Sequence, residues 1–370
     1  MARPDIAIIG CGPAGMAASM VLARRGFSVI AFDRATKTTT PGEIISQDVR
    51  FALSSLNLWT AAQELFPLRV QGRISVWGGE ATELDATLDA LDGEILLERK
   101  DFARFLRDAA VTQGVQLVND ACHLRADTSH SSPSLSWSDP AGRRRTAKVD
   151  FVIEATGRSG GTAGLRARHA FDALVGLLVY PDTTGDGGFG TQFLVESAPL
   201  GWWYSAPLPG SRSVFALMTD ADNLPTGRRA RAEFFMRNLQ AVPNTRDRYA
   251  KTGGRAPDPV VVPSRSSVRL SIGGPNWVAV GDAAVSYDPI TGAGVAAAMS
   301  KGAAVARLIS NEQSFHRAIA QYANAERETL DQYLRQWTAI YALETRWRRQ
   351  RFWQRRERVR HVPECLRILN

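Results

Sequence analysis

The segment Gly10-Cys11-Gly12-Pro13-Ala14-Gly15 places glycines at the first, third and sixth positions of a hexamer. Gly10 permits a tight turn, and Gly12 lets the backbone approach a pyrophosphate. Gly15 lets a following helix pack on the preceding strand, so that the amides of a first turn holding Pro13 and Ala14 face the phosphates. An acid about 20 residues on should bind ribose hydroxyls, and Asp33 stands there. A tight turn alone would also use these glycines; the flanking strand and helix and the placing of Asp33 favour dinucleotide binding. Other chemistries find no pattern. The five histidines (His123, His130, His169, His316, His361) have no metal-ligand spacing, and Ser159 and Ser264 lie outside any nucleophile-elbow context.

These groups need a scaffold. Residues 5–9 predict a buried strand, 13–25 a helix with Pro13 in its first turn, and 28–32 a second strand: a βαβ unit and hence a parallel sheet. Residues 115–118, 149–155 and 276–280 predict strands of the same apolar style, residues 101–113 an amphipathic helix, and 293–309 a small-residue buried helix. Residues 73–78 predict a strand of different character. From about 168 to 268 the texture is antiparallel and half-buried, with strands at 173–180, 189–195, 202–206 and 213–219 and a helix at 227–241. The expected class is α/β: a Rossmann-like dinucleotide-binding domain made of 1–72, 98–165 and 270–312, an inserted antiparallel-sheet substrate domain of 73–97 and 166–269, and a C-terminal helical basic segment, 313–370.

Composition sets the limits. With 370 residues, 44% hydrophobic and 22% charged, the chain is globular and large enough for two domains. Cys11, Cys122 and Cys365 make neither a disulfide framework nor a paired metal spacing, so a reducing cytoplasm is the default expectation. The apolar N-terminal stretches are broken by glycines and followed, not preceded, by Arg24 and Arg25, unlike a signal peptide, and no apolar run has the length of a membrane span. The net charge is +8, most of it between Tyr341 and His361, where eight arginines face Glu344 and Glu357. So local a patch argues against a nucleic-acid protein, which would spread its basic residues over a binding domain.

Gly281-Asp282, then Asp288-Pro289 and Gly292-Ala293-Gly294, follow a strand ending at Val280 and open a helix. With the first hexamer, they make the chain resemble the FAD-dependent monooxygenase and halogenase superfamily with the p-hydroxybenzoate hydroxylase-like fold, over roughly residues 4–320. The resemblance implies that Asp282 binds the ribityl chain and that the Asp-Pro segment borders the isoalloxazine. It also implies that the helix start at Gly292, Ala293 and Gly294 faces the pyrimidine end, where a helix N-terminus stabilises the negative charge of reduced flavin. A helix cap and a proline turn are the alternative. Glu154-Ala155-Thr156-Gly157-Arg158 looks like the family's Ala-Thr-Gly segment beside the cofactor, and Arg99 matches an arginine that commonly contacts FAD. Arg34, next to Asp33, is placed to lie over the adenine; for both arginines a solvated surface position is the alternative.

Hydroxylases that bind NADPH themselves usually carry Asp-Gly where this chain has Ala-Thr-Gly, so both routes of flavin reduction stay open: NAD(P)H directly, or a separate flavin reductase. Residues 201–207 resemble the halogenase Trp-x-Trp-x-Ile-Pro signature at Trp202 and Pro207, with Tyr204 and Ala206 as departures. A halogenase also needs a lysine to hold or relay hypohalous acid. The lysines are Lys37, Lys100, Lys148, Lys251 and Lys301, none between 43 and 99, so hydroxylation leads. Length, the 201–207 segment and the Arg346-Trp347 and Phe352–Arg356 clusters look like the flavoproteins that mature tryptophylquinone enzymes.

The expected activity is FAD-dependent hydroxylation of an aromatic ring by dioxygen through a flavin C4a-hydroperoxide in a dry pocket. Pocket candidates are Glu43 (as base), Trp202, Tyr204 and the 286–292 loop, and the ring is free or a tryptophan in an acidic precursor polypeptide docking on the basic terminal segment. A solvated helix on which Trp337, Trp347 and Trp353 pack is the other reading of that segment. The rivals are a halogenase or ene-reductase acting on a small molecule, and a non-catalytic FAD-containing binding protein.

Overall fold

The computed structural model describes residues 5–33, 43–45, 47–70, 72–80, 82–85, 95–159, 167–183, 190–253, 259–311 and 314–358. Strand Ile6–Ile9 lies inside a six-stranded sheet ordered Gly273–Gly274, Trp277–Ala279, Phe151–Glu154, Ile6–Ile9, Val29–Phe32, Gln116–Val118. Four of its pairings are parallel; the Gly273–Gly274 edge is antiparallel. Ile6, Ala7, Ile8 and Ile9 are all buried, because helices cover both faces of a parallel sheet and leave no polar side to alternate with. The five predicted parallel strands thus form one sheet.

Helices Pro13–Arg24 and Gly294–Asn311 pack tightly together beside the strand ends. A methyl group on Gly302 would lie 2.1 Å from the Ala14 carbonyl oxygen, so only glycine allows this approach. Between residues 118 and 149 the chain forms an antiparallel sheet, Cys122–Asp127, Ser134–Ser138 and Arg144–Lys148, for which the sequence predicts no element. Its inner side is Leu124, Ala126, Leu135 and the Trp137 ring that meets Phe32 edge-on at 4.8 Å, too few apolar positions to signal strands.

The second large sheet has seven strands in the order Val260–Pro263, Leu174–Val179, Arg212–Asp220, Gly201–Leu208, Gln192–Ala198, Gly72–Val76, Thr82–Asp85. Neighbours are antiparallel except Gln192–Ala198 with Gly72–Val76, which is how the 73–78 segment joins strands a hundred residues away. Side chains alternate between two faces. Trp203, Phe215 and Leu217 meet helices Arg228–Leu239 and Pro243–Ala250, with Trp203 on Phe235 at 4.9 Å and Phe215 on Tyr249 at 5.1 Å. Trp202, Ala216 and Met218 face the other way, into the core shared with the parallel sheet.

The 28-residue helix Phe315–Ala342 runs along that core, burying Ile319, Tyr322, Glu326, Leu330, Tyr333, Trp337 and Tyr341 at spacings of three and four. Lys301 and Glu326 form a buried ion pair at 2.5 Å that ties this helix to Gly294–Asn311. Trp337 and Trp353 are buried and Trp347 is half-buried, as the packing alternative expects. Several of the terminal arginines are paired within the protein. Arg356 is wholly buried, paired to Asp220 at 2.8 Å and lying over the Phe352 ring at 3.6 Å. Arg355 pairs with Asp220 and Asp222, Arg351 with Asp222, and Arg346 with Glu344. Acids of the protein itself neutralise these cations, while Arg348, Arg349 and Arg358 are exposed; Arg360 lies outside the described residues. Among the described residues no helix is long and apolar enough to cross a membrane.

Candidate functional site

The three glycines of the first hexamer do different work. Gly10 has φ +109°, and a methyl group there would stand 2.3 Å from the Ala155 carbonyl oxygen. One on Gly15 would stand 2.0 Å from the Gly10 oxygen. Both let the turn, helix and neighbouring strand close on one another. Gly12 has ordinary extended backbone and nothing within 4 Å of a methyl group, so its face is open. It caps helix Pro13–Arg24 without a side-chain acceptor, with Pro13 and Ala14 next in the chain, so first-turn amides stay available to an anion. Burial pushes the thiol of Cys11 up, keeping it neutral.

The second motif meets the first. Gly281, at φ +60°, passes so close that a methyl group would lie 2.9 Å from Ala14 Cβ. Arg158 then fastens the Ala155–Arg158 segment, with Gly157 at φ +66°, to this strand end: its Nε donates to Asp282 at 3.1 Å and its terminal nitrogens to the carbonyls of Arg265 at 2.8 Å and Tyr287 at 2.6 Å. Arg168 donates to the backbone carbonyls of Asp282 and Ala283; burial brings its guanidinium down to about 10, so it stays charged at neutral pH. Gly10–Gly15, Gly157 and Gly281–Asp282 therefore lie together at the carboxyl ends of three neighbouring strands of the parallel sheet.

Asp33 ends strand Val29–Phe32, and its Oδ2 is paired with Arg107 of helix Arg99–Thr112. Arg99 opens that helix at the surface, and its charge acts on Tyr180. Arg34 lies outside the described residues. Glu43 pairs with Leu97 in the short two-stranded sheet Glu43–Ile45 and Ile95–Leu97; its side chain is outside the described residues.

Pro289–Thr291 is a single 3₁₀ turn closed by Gly292 at φ +64°, and helix Gly294–Asn311 follows Ala293. Gly292 and Gly294 are exposed, with open space where a methyl group would stand. The turn is governed by Asp288, which the sequence shows as part of the Asp-Pro pair but does not mark as a hub. Its carboxylate is 1% exposed. Oδ1 accepts from the Ile290 amide at 2.9 Å, and Oδ2 accepts from Trp337 Nε1 at 3.0 Å and from the Tyr341 hydroxyl at 2.8 Å. The Asp288 amide donates to the Tyr333 hydroxyl at 2.9 Å. Burial and the like charge of Asp172 raise its carboxyl to about 6 against the Ile290 amide, the Trp337 indole and Arg356, so it is ionised at neutral pH.

Trp202 belongs to this network: it is buried, and its indole donates to the Tyr341 hydroxyl at 2.9 Å. Tyr204, two positions on, is half-buried beside Phe193 at 6.3 Å. The residues that sequence reasoning did not single out are thus Tyr333 and Tyr341. Their one signal is that Tyr333, Trp337 and Tyr341 recur every four positions, a pattern that reads as ordinary helix core.

Two open glycine faces at helix starts, an uncapped first turn and two acids at strand ends form a cradle that fits FAD. The tryptophan halogenase family matches residues 81–369. LodB of Marinomonas mediterranea, assigned as an FAD-dependent oxidoreductase, is 27% identical over 360 residues, covering 95% of this chain and 96% of LodB. Among solved structures, QhpG, a peptidyl tryptophan dihydroxylase essential for tryptophylquinone cofactor biogenesis, superposes with a TM-score of 0.79 at 25% identity, over 98% of this chain and 80% of QhpG. The flavin-dependent halogenase CmlS shares the fold, with a TM-score of 0.81 at 20% identity over 98% of this chain and 68% of CmlS.

Proposed function

The chain belongs to the tryptophan halogenase family and is an FAD-dependent oxidoreductase, and from that premise we propose that it hydroxylates an aromatic ring, a tryptophan side chain within a precursor polypeptide. The observation that carries hydroxylation over halogenation concerns lysine. None stands between Lys37 and Lys100, and Lys301, which is buried, is committed to Glu326 and the Tyr287 hydroxyl. The segment in which a halogenase lysine is expected thus has none, and Lys301 is engaged elsewhere. The likeness over almost the whole chain to QhpG, a peptidyl tryptophan dihydroxylase, supports a polypeptide substrate.

In this reading the amides after Gly12 bind the pyrophosphate, Asp33 the ribose and Asp282 the ribityl chain, while Asp288–Gly294 lies against the isoalloxazine. Arg34 and Arg99 are proposed contacts of the same cofactor. Reduced FAD, when bound, supplies the activation of dioxygen for transfer to an electron-rich ring. The protein's part is to bind, to exclude water and to orient the ring. The start of helix Gly294–Asn311 favours negative charge on the reduced cofactor. Trp202 and Tyr204 are proposed to shape the ring's pocket, and Glu43 to accept the proton of the indole or phenol. Turnover unchanged in Glu43→Gln would remove Glu43 from that role.

Halogenation is the second reading, favoured by family membership and by Trp202 and Pro207 at the positions of the halogenase signature. One experiment separates the two. The protein is incubated with reduced FAD, dioxygen and tryptophan-containing peptides encoded beside it, with and without chloride or bromide, and the products are weighed by mass spectrometry. One or two added oxygens on a tryptophan, independent of halide, are expected. An added halogen would establish the second reading. Flavin reoxidised with the peptides unchanged would refute the polypeptide substrate.

A further inference from the structure

Four aromatic residues from two distant elements converge on the loop that the proposed function lays against the flavin. Tyr333, Trp337 and Tyr341 lie at four-residue intervals on the buried face of helix Phe315–Ala342, and all three bond Asp288. Trp202 reaches the same carboxylate through the Tyr341 hydroxyl. Tyr333 is braced in turn by the Ser266 hydroxyl at 2.7 Å. The Asp288 carboxylate accepts from three buried or half-buried donors, a backbone amide of its own turn and two side chains of the long helix. A carboxylate buried this completely is costly unless donors saturate it, and here they do. A neutral side chain would fill the space without that cost, so packing alone does not explain an acid.

Resting on the FAD reading above, we propose that Asp288 is the positioning residue of the flavin loop. It sets Pro289–Gly294 against the cofactor and couples that loop to the long C-terminal helix and, through Tyr341 and Trp202, to the antiparallel sheet. The charged and titratable groups around it are Asp172 beside strand Leu174–Val179, Arg356 from the C-terminal turn, and Tyr333 and Tyr341 from the helix. Burial keeps both phenols neutral, with the Asp288 charge adding to the effect. Between about pH 5 and pH 7, therefore, Asp288 changes charge.

The test uses the purified full chain with FAD and reads the visible flavin absorption spectrum and the FAD dissociation constant across that pH range. Wild-type protein is expected to show a spectral transition there. Asp288→Asn should abolish it and raise the dissociation constant about tenfold, the factor expected from losing a hydrogen bond to a charged group. Tyr341→Phe, which keeps the ring and removes one donor, should move the transition upward in pH. Trp353→Phe, in the same aromatic cluster but bonded to the Ala198 carbonyl and not to Asp288, should change neither reading. If Asp288→Asn does not fold, Tyr341→Phe against Trp353→Phe decides. Wild-type spectra and affinities in Asp288→Asn and Tyr341→Phe would overturn the positioning role and leave the FAD site standing. A wild-type chain that takes up no FAD would overturn both.

Discussion

A methyl group is enough to separate the glycines of the first loop. Gly12→Ala meets no neighbour and an ordinary backbone angle, so stability should change by less than about 0.5 kcal/mol. Its added carbon stands on the face proposed for the pyrophosphate, and FAD affinity should fall at least about tenfold, or about 1.4 kcal/mol. Gly10→Ala combines a left-handed backbone angle with a carbonyl oxygen 2.3 Å away and should cost about 3 kcal/mol or more. Urea unfolding and FAD titration of the two variants measure both effects. Sequence reasoning reached all three glycines because their spacing is itself the signal. Asp288 was legible only as the residue before Pro289. What makes it a hub is supplied by Tyr333, Trp337 and Tyr341, and contacts across 45 to 53 residues leave no mark in a local pattern.

The parallel strands and the helices at 13–24 and 294–311 were readable as elements because burial on both sides writes long apolar runs. The small sheet from 122 to 148 was not, since most of its side chains face water. Helix Pro243–Ala250 was missed for the same reason: its mean composition is polar, and only Thr245, Arg248 and Tyr249 are buried. The end of the long helix offers a test at this scale. Glu344 accepts from the Gly78 amide, the Ser197 hydroxyl and Arg346, and so clamps the helix to the edge where Gly72–Val76 meets Gln192–Ala198. Burial works against this carboxylate, but Arg346, Ser197 and the Gly78 amide outweigh it and bring it down to about 2. A carboxyl lowered on folding stabilises the protein above its unfolded value near 4.5, and that contribution is lost as pH falls toward 2. The stability difference between wild type and Glu344→Gln should therefore be largest above about pH 5 and shrink steadily toward about pH 2, as urea midpoints at a series of pH values would report.

On the scale of the whole molecule, part of the charge that dominates the sequence is turned inward, at Arg355 and Arg356, while Arg348, Arg349, Arg351 and Arg358 are exposed. Arg355 and Arg356 both meet Asp220, which ends the longest strand of the seven-stranded sheet, so the C-terminal turn is bolted to that sheet. Removing one partner of a buried pair strands the other charge, whereas an apolar replacement of matching size does not. Asp220→Ala should cost about 3–5 kcal/mol, and Arg356→Met much less, in equilibrium unfolding. Net charge, read from sequence, located this segment correctly but left its direction open. The placing of Asp288 also bears on how the protein is made. Its last carboxylate donor, Tyr341, is translated 53 residues later, so a ribosome that has finished the glycine loop, both sheets and the Asp-Pro turn has still not finished the site. The side-chain donors that saturate the Asp288 carboxylate, Trp337 and Tyr341, both come from the long helix, so the loop's carboxylate gains its partners only when that helix is made.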